Sequence, residues 1–182
     1  MFEKRETALA GCFELQPIVR ADSRGQFVKT FHHEYFESNE LETDFREQYY
    51  SFSRKGVLRG MHFQTPPDAH NKLVYCTAGT ILDVVVDVRV GSPTYGEHIS
   101  LEISASTGNM IYIPVGLAHG FYSKTDATVV YNVGTVYSPD HDGGILWSSI
   151  GMDWPDMPPD ISERDVKFPT FAEFDSPFKF SG

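Results

Sequence analysis

The sequence predicts a mainly β protein, built as an antiparallel sandwich or barrel. From about residue 45 to residue 150, short runs rich in β-branched and aromatic residues recur at regular spacing, which is typical of strands. Turn-forming stretches such as GSPTYG (91–96) and SKTD (123–126) bound these runs. Because no long helical periodicity lies between the runs, we expect the strands to pair antiparallel.

The first 44 residues, about 1–44, form a mixed N-terminal segment. HHEYFESNELETDF (32–45) predicts a short peripheral helix, and FVKTF (27–31) predicts a strand outside the main series. An isolated strand of this kind can cover the sheet edge of a second copy and protect it from aggregation. We therefore expect a homodimer in which this segment pairs with the partner.

The main strands follow in order along the chain. ILDVVVDV (81–88) alternates, with Leu82 and Val84 on one face and Ile81 and Asp83 on the other. Further short apolar runs indicate three more strands, namely ISLEI (99–103), MIYIP (110–114) and TVVYNV (128–133). The sequence thus predicts one domain over residues 1–182, closed by a proline-rich tail of about 155–182 that wraps the sheets.

Composition and simple sequence patterns disfavour several classes of binding partner. The net charge of −10 disfavours nucleic-acid binding, which usually leaves a basic footprint. No run approaches the roughly 20 apolar residues of a membrane span, and the first residues lack a signal-peptide pattern. Cys12 and Cys76 have no disulfide or metal-ligand spacing. We expect a cytoplasmic protein without membrane or nucleic-acid partners.

GVLRGMHFQ (56–64) raises the central question of function. His62 could be a packed core histidine, a metal ligand or a general base. A metal site needs three or four converging ligands, but Gln64 stands where a barrel metal pattern would have a second histidine. No glutamate follows in TPPDAHNK (65–72). We therefore expect no metal.

Other polar residues disfavour a simple core histidine. Lys72 precedes an apolar strand, Tyr131 lies between valines, and His119 lies on the strand-like segment around PVGLAHG (114–120). Burying several such groups in one small barrel is costly unless they serve a pocket. Strict alternation would put Arg59 and His62 on opposite faces, so either Gly60 allows a bend or one of the two lies outside the pocket.

A family resemblance runs from about Arg20 to Asp165. The chain resembles the nucleotide-sugar 3,5-epimerases of the dTDP-4-dehydrorhamnose epimerase type. The matching stretches, in order, are GVLRGMHFQ, NKLVYCTAGTILDVVVDVRVGSPTYG, IYIPVGLAHGF, YSPDHDGGILW and GMDWP. The resemblance implies a cupin-like jelly roll, a homodimer, and a reaction on a nucleotide-diphosphate sugar that needs no metal or other cofactor.

The resemblance also implies roles for individual residues. His62 falls on the general base, Asp165 on its partner carboxylate, Tyr131 on the proton donor of the opposite face, and Lys72 on the group that stabilises the enolate oxygen. Arg59 and His119 match positions that contact the substrate, and Arg24 and Tyr137 match positions that hold the nucleotide. Gln48 and Lys29 are two further candidates for substrate binding.

These residue types suit epimerisation beside a ketone. An imidazole that titrates near neutrality can remove the proton, and a carboxylate fixes its tautomer. A cation stabilises the charge that develops on the ketone oxygen, and a tyrosine across the pocket can return a proton. No redox cofactor is needed, and no GxGxxG stretch is present.

Three positions depart from the family pattern. Lys29 stands where the family usually has Glu, Tyr50 where it usually has Asn, and Asn132 where it usually has Lys. The nucleotide base, the sugar and the number of inverted carbons therefore stay open. We expect an epimerase that inverts a nucleotide-linked 4-keto-6-deoxy sugar at C3 and C5. The alternatives are a C3-only epimerase of another deoxysugar pathway and a non-catalytic cupin that binds a nucleotide sugar.

Overall fold

The computed structural model describes residues 2–155 and 158–181, and its core lies between two antiparallel sheets. One sheet has six strands, the other has five, and a separate hairpin has two. The predicted antiparallel all-β architecture is confirmed. In the described residues, no helix is both long and apolar enough to cross a membrane.

The described residues form thirteen strands and one α-helix. The strands are β1 (Phe2–Glu6), β2 (Phe13–Pro17), β3 (Val19–Asp22), β4 (Gly25–Val28), β5 (Glu47–Ser53), β6 (Leu58–Gln64), β7 (Lys72–Ala78), β8 (Thr80–Asp87), β9 (His98–Ser104), β10 (Met110–Ile113), β11 (Leu117–Ser123), β12 (Ala127–Val133) and β13 (Asp142–Gly144). The helix is α1 (His33–Ser38), and short 3₁₀ turns cover Trp147–Ser149, Asp165–Lys167 and Phe171–Glu173. The six-stranded sheet has the order β1-β2-β10-β7-β12-β5, the five-stranded sheet has the order β13-β6-β11-β8-β9, and the hairpin contains β3 and β4.

Side chains along β8 alternate between the two faces of the five-stranded sheet, as predicted. Ile81 and Val85 point between the sheets, where they pack with Val74 and Val129 of the facing sheet. Val84 and its alternate neighbours point outward into a second apolar cluster. A strand that is buried on both faces needs a cover on its outer side, and the C-terminal tail provides it.

The tail binds the five-stranded sheet through apolar and backbone contacts. Trp154 and Phe178 pack into the outer cluster. The amide of Leu58 donates to the carbonyl of Asp160 at 2.8 Å, and the amide of Phe180 donates to the carbonyl of Val90 at 3.0 Å. The expected wrapping tail is therefore present in the described residues, and it carries Asp165 to the end of the sheets where β6 lies.

The N-terminal segment differs in part from its prediction. The helix predicted over 32–45 is shorter, because α1 ends at Ser38 and Glu40 adopts a φ of 57° that cannot continue a helix. The strand predicted over 27–31 ends at Val28 and pairs with β3 of its own chain. β1 and β2 extend the six-stranded sheet, so this segment is partly integrated into the main fold.

Candidate active site

A cavity of about 400 Å³ opens between the two sheets at one end of the core. The five-stranded sheet contributes His62 from β6 and His119 from β11, and the six-stranded sheet contributes Lys72 from β7 and Tyr131 from β12. These four side chains come from segments far apart in the sequence. The strand pairing brings them together, as the sequence analysis expected.

A bulge in β6 brings Arg59 and His62 to the same face. His62 lies opposite His119, and Arg59 lies opposite Phe121, so β6 has one more residue than β11 over this interval. An extra residue of this kind shifts the alternation by one step. Gly60 makes the bulge sterically accessible, since its φ is 140° and a Cβ there would lie 2.5 Å from the Cα of Gly120. The bend at Gly60, one of the two alternatives left open, is the one observed.

His62 and Asp165 form a hydrogen-bonded pair. His62 Nε2 lies 2.9 Å from Asp165 Oδ1, and the Gly60 amide donates to Asp165 Oδ2 at 3.1 Å. Burial would raise the pKa of Asp165, but the hydrogen bonds from His62 and Gly60 bring it below its ordinary value. The carboxylate therefore accepts the Nε2 proton, and Nδ1 is left as the basic nitrogen of His62.

The environment keeps His62 neutral and Lys72 only moderately basic. Burial lowers the pKa of His62 below its ordinary value, and the opposing effect of Asp165 does not cancel this. Lys72 is buried and donates to the carbonyl of His62 at 3.2 Å. Burial lowers the pKa of Lys72 to about 8. Near neutral pH the site thus contains a neutral imidazole beside a charged ammonium group.

Tyr131 faces the cavity from the opposite sheet. Its side chain is buried, and burial raises the pKa of its phenol, so the hydroxyl keeps its proton. Its ring lies in a T-shaped arrangement with that of His119, with ring centroids 6.2 Å apart and an interplanar angle of 70°. Tyr49 of β5 stacks on its face. Tyr131 is therefore a fixed, protonated group across the cavity from His62.

A second histidine–carboxylate pair lies in the cavity and was not predicted from the sequence. His119 Nε2 lies 2.7 Å from Asp83 Oδ2, and both side chains are buried. Burial raises the pKa of Asp83, while His119 and then Lys72 lower it. A signal was present, since Asp83 lies between Ile81 and Val85 on the inner face of β8, and a buried carboxylate needs a partner. Asp83 fixes the tautomer of His119 as Asp165 does that of His62.

Two further missed residues lie at the mouth of the cavity, near the exposed ring of Tyr137. Arg164 donates to Asp142 Oδ2 at 2.6 Å, and both side chains line the cavity. Tyr137 also lines it, and its amide donates to Glu47 at 2.7 Å. Arg164 directly precedes Asp165, so the turn that carries the carboxylate also carries this cation.

Four residues singled out from the sequence do not line the cavity, namely Arg24, Lys29, Gln48 and Tyr50. Arg24 pairs with Asp22 on the exposed hairpin, and Arg24 and Lys29 line a separate hollow there. Gln48 points away from the cavity, because alternation along β5 turns it toward Asn132, to which it donates at 2.6 Å.

Tyr50 is exposed on that same outer face, whereas Glu47, Tyr49 and Ser51 line the cavity. Arg24, Lys29 and Gln48 do not line this cavity, and their roles in binding the substrate stay predictions. Among the described residues, no three His, Cys, Asp or Glu side chains are grouped to hold a metal ion. The metal-free reaction stays a prediction, which elemental analysis of purified protein tests.

Comparison with known proteins identifies relatives that match most of the chain. Residues 6–173 match the family model described as dTDP-4-dehydrorhamnose 3,5-epimerase. This chain belongs to that family. A dTDP-4-dehydrorhamnose 3,5-epimerase of Sinorhizobium fredii is 40% identical over 171 residues, which cover 91% of this chain and 88% of the relative.

Solved structures of the epimerase family share the fold. The chain is similar to a dTDP-6-deoxy-D-glucose-3,5-epimerase from Legionella pneumophila in complex with dTDP-4-keto-L-rhamnose, with a TM-score of 0.94, 30% identity and 100% of each chain covered. It is also similar to a 3'-monoepimerase from Streptomyces bikiniensis in complex with dTDP-quinovose, with a TM-score of 0.86, 32% identity, and 91% of this chain and 86% of that chain covered. The predicted cupin-like fold and the predicted isomerase family are confirmed.

Proposed function

We propose that this protein epimerises a dTDP-linked 4-keto-6-deoxy sugar at C3 and C5. One observation carries the proposal, namely that a histidine–aspartate pair and a buried tyrosine face each other from the two sheets across one cavity. Inversion requires one group to remove a proton from one face and another to return a proton to the opposite face. His62 and Tyr131 supply these two groups.

In the first step, Nδ1 of His62 takes the proton from the carbon beside the ketone. The electron pair of the broken C–H bond forms a C=C bond, and the ketone π electrons move to its oxygen. Asp165 stabilises the imidazolium that results, because it accepts the Nε2 proton. Lys72, which is charged below pH about 8, stabilises the enolate oxygen.

In the second step, the Tyr131 hydroxyl gives its proton to the same carbon from the other face. The enolate electrons restore the ketone, and the new C–H bond has the inverted configuration. The Tyr131 phenolate then takes a proton from water, and the His62 imidazolium returns one to water. The reaction is neutral in protons and electrons and uses no other reactant.

The mouth of the cavity suits the nucleotide part of the substrate. Tyr137 offers an exposed aromatic ring, which can stack on a base. The guanidinium groups of Arg59 and Arg164 lie on the cavity wall and match phosphate oxygens in charge and geometry. The diphosphate would then lie between the base at Tyr137 and the sugar at His62.

A homodimer explains why Arg24 and Lys29 lie away from their own cavity. β5 is an edge strand of the six-stranded sheet and exposes Tyr50 and Phe52, so its edge is open to pairing. The β3–β4 hairpin of a partner could pair there and bring its Arg24 near the first chain's cavity. If the protein is a dimer, light scattering at micromolar concentration should give about twice the monomer mass. A monomer mass would contradict the dimer. A single catalytic domain and a cytoplasmic location stay predictions.

Solvent exchange in heavy water tests the function. With a dTDP-4-keto-6-deoxy sugar, we expect deuterium at C3 and at C5, together with inverted product. Deuterium at C3 alone would identify the alternative activity, which the likeness to a 3'-monoepimerase favours. Binding of dTDP without any exchange would identify a non-catalytic protein and would overturn the proposal.

A further inference from the structure

Tyr49 lies directly beside the proposed proton donor. In the antiparallel pair of β5 and β12, Tyr49 is the register partner of Tyr131. The two rings are stacked, with centroids 4.8 Å apart and an interplanar angle of 18°. Tyr49 is 42% exposed and Tyr131 is 8% exposed. Tyr49 therefore covers the face of the Tyr131 ring at the open side of the cavity.

Two aromatic contacts together restrict the Tyr131 ring. Tyr49 covers its face, and His119, held by Asp83, lies in a T-shaped arrangement with it. Any rotation of the Tyr131 side chain would break the stack with Tyr49. Since Tyr49 is on an edge strand and partly exposed, its own replacement leaves the core between the sheets intact.

The stack matters for the reaction because the enolate has two routes to a new proton. Tyr131 can deliver a proton to the opposite face, which inverts the carbon. The His62 imidazolium can instead return its proton to the original face, which restores the substrate. The ratio between these routes depends on how often the Tyr131 hydroxyl points at the carbon.

We propose that Tyr49 is a positioning residue for Tyr131 and so sets the fraction of enolate that is inverted. This inference rests on the proposed epimerase function. Tyr49 acts through its ring and not through its hydroxyl, because the contact between the two residues is a face-to-face stack. Exclusion of water by the Tyr49 ring also contributes to the burial that raises the pKa of Tyr131.

Two substitutions separate the ring from apolar bulk. Tyr49→Phe keeps the stacked ring, whereas Tyr49→Leu keeps an apolar side chain without it. The measurement is the ratio of inverted product to deuterium incorporated with retained configuration, in heavy water. We expect Tyr49→Phe to keep the wild-type ratio and Tyr49→Leu to lower it about 2- to 12-fold, the factor that corresponds to an aromatic pair of about 0.5–1.5 kcal/mol.

Total exchange should be unchanged in Tyr49→Leu, because His62 still forms the enolate. A wild-type ratio in Tyr49→Leu would overturn the inference. An equal fall of exchange and inversion would also overturn it, since Tyr49 would then act on substrate binding or on enolate formation. Calorimetric binding of dTDP by both variants shows that the cavity is folded, and Tyr49→Met replaces Tyr49→Leu if the latter does not fold. Absence of exchange in the wild-type protein would instead reject the proposed function itself.

Discussion

Replacing Asp165 by asparagine should stop His62 from acting as a base, while the side chain at position 165 keeps nearly the same shape. The two carboxylate oxygens have different partners, since Oδ1 faces His62 Nε2 at 2.9 Å and Oδ2 accepts from the Gly60 amide at 3.1 Å. An asparagine oxygen would turn to the Gly60 amide, because that donor has a fixed position. Its NH₂ group would then donate to Nε2, so the proton of His62 would move to Nδ1, the nitrogen that has to accept the substrate proton.

The size of the effect follows from two costs. Restoring the active tautomer would leave two donors facing each other at a buried position, which costs about 1–3 kcal/mol, or about 5- to 150-fold in rate. Loss of the charged hydrogen bond to the imidazolium costs about 1.5–3 kcal/mol more, or about 12- to 150-fold. Together they predict a fall in kcat of roughly 10²–10⁴, the range typical for loss of a general base.

Deuterium exchange into the substrate, followed by NMR, measures this fall without a coupled enzyme. Asp160→Asn is the matched control, because Asp160 is an exposed aspartate on the same tail, and its variant should keep the wild-type rate. Circular dichroism should show that Asp165→Asn is folded at the assay temperature. A folded Asp165→Asn variant that exchanges at the wild-type rate would refute the role of Asp165 in orienting His62.

Three further predictions concern neighbouring groups. The exchange rate should fall on the acid side with a midpoint below pH about 6.5, because His62 must be neutral to act and burial lowers its pKa. It should also fall on the basic side near pH 8, where Lys72 loses its proton. Lys72→Arg should remove this basic fall, and an unchanged basic fall would show that Lys72 does not cause it. Tyr131→Phe should keep exchange but lose inversion by on the order of 10²–10⁴, whereas His62→Ala should lose both, as heavy-water NMR can show. Gly60→Ala should lower the melting temperature by roughly 4–24 °C, from about 2–6 kcal/mol of strain and clash. Gly91→Ala, at positive φ in open space, should cost about half as much, because it adds strain without a clash; an equal fall in both variants would contradict the close approach at Gly60.

The strands were predictable where alternation along the chain is visible. Side chains along β8 alternate between its two faces, and both faces are largely buried as its sequence indicates, although Asp83 and Asp87 lie among the apolar residues of the inner face. β11 was harder, because LAHGFYS contains alanine and glycine, which have low strand propensity. Its seven residues are all buried in the middle of the five-stranded sheet. Tertiary packing thus stabilises a strand whose local sequence around His119 favours it only weakly.

The site was predictable in its chemistry and less so in its geometry. His62, Lys72 and Tyr131 stand out as polar groups in apolar strands, and the fold brings them to one cavity. The bulge at Gly60 depends on how β6 pairs with β11, which local sequence does not encode. The positions of Arg24 and Lys29 relative to a cavity depend, in the proposed dimer, on a second chain.

The charge of the molecule and the charge of its cavity have to be considered separately. A net charge of −10 would repel a nucleotide diphosphate if all charges acted equally. At physiological ionic strength, however, screening limits each exposed charge to about 8 Å. Within the cavity, Asp83 and Asp165 are hydrogen-bonded to imidazoles, and Lys72 is charged at neutral pH. The cations Lys72, Arg59 and Arg164 line the cavity together with the carboxylates of Glu47 and Asp142. Binding of an anionic substrate there therefore depends on where these cations lie and not on the net charge of the molecule.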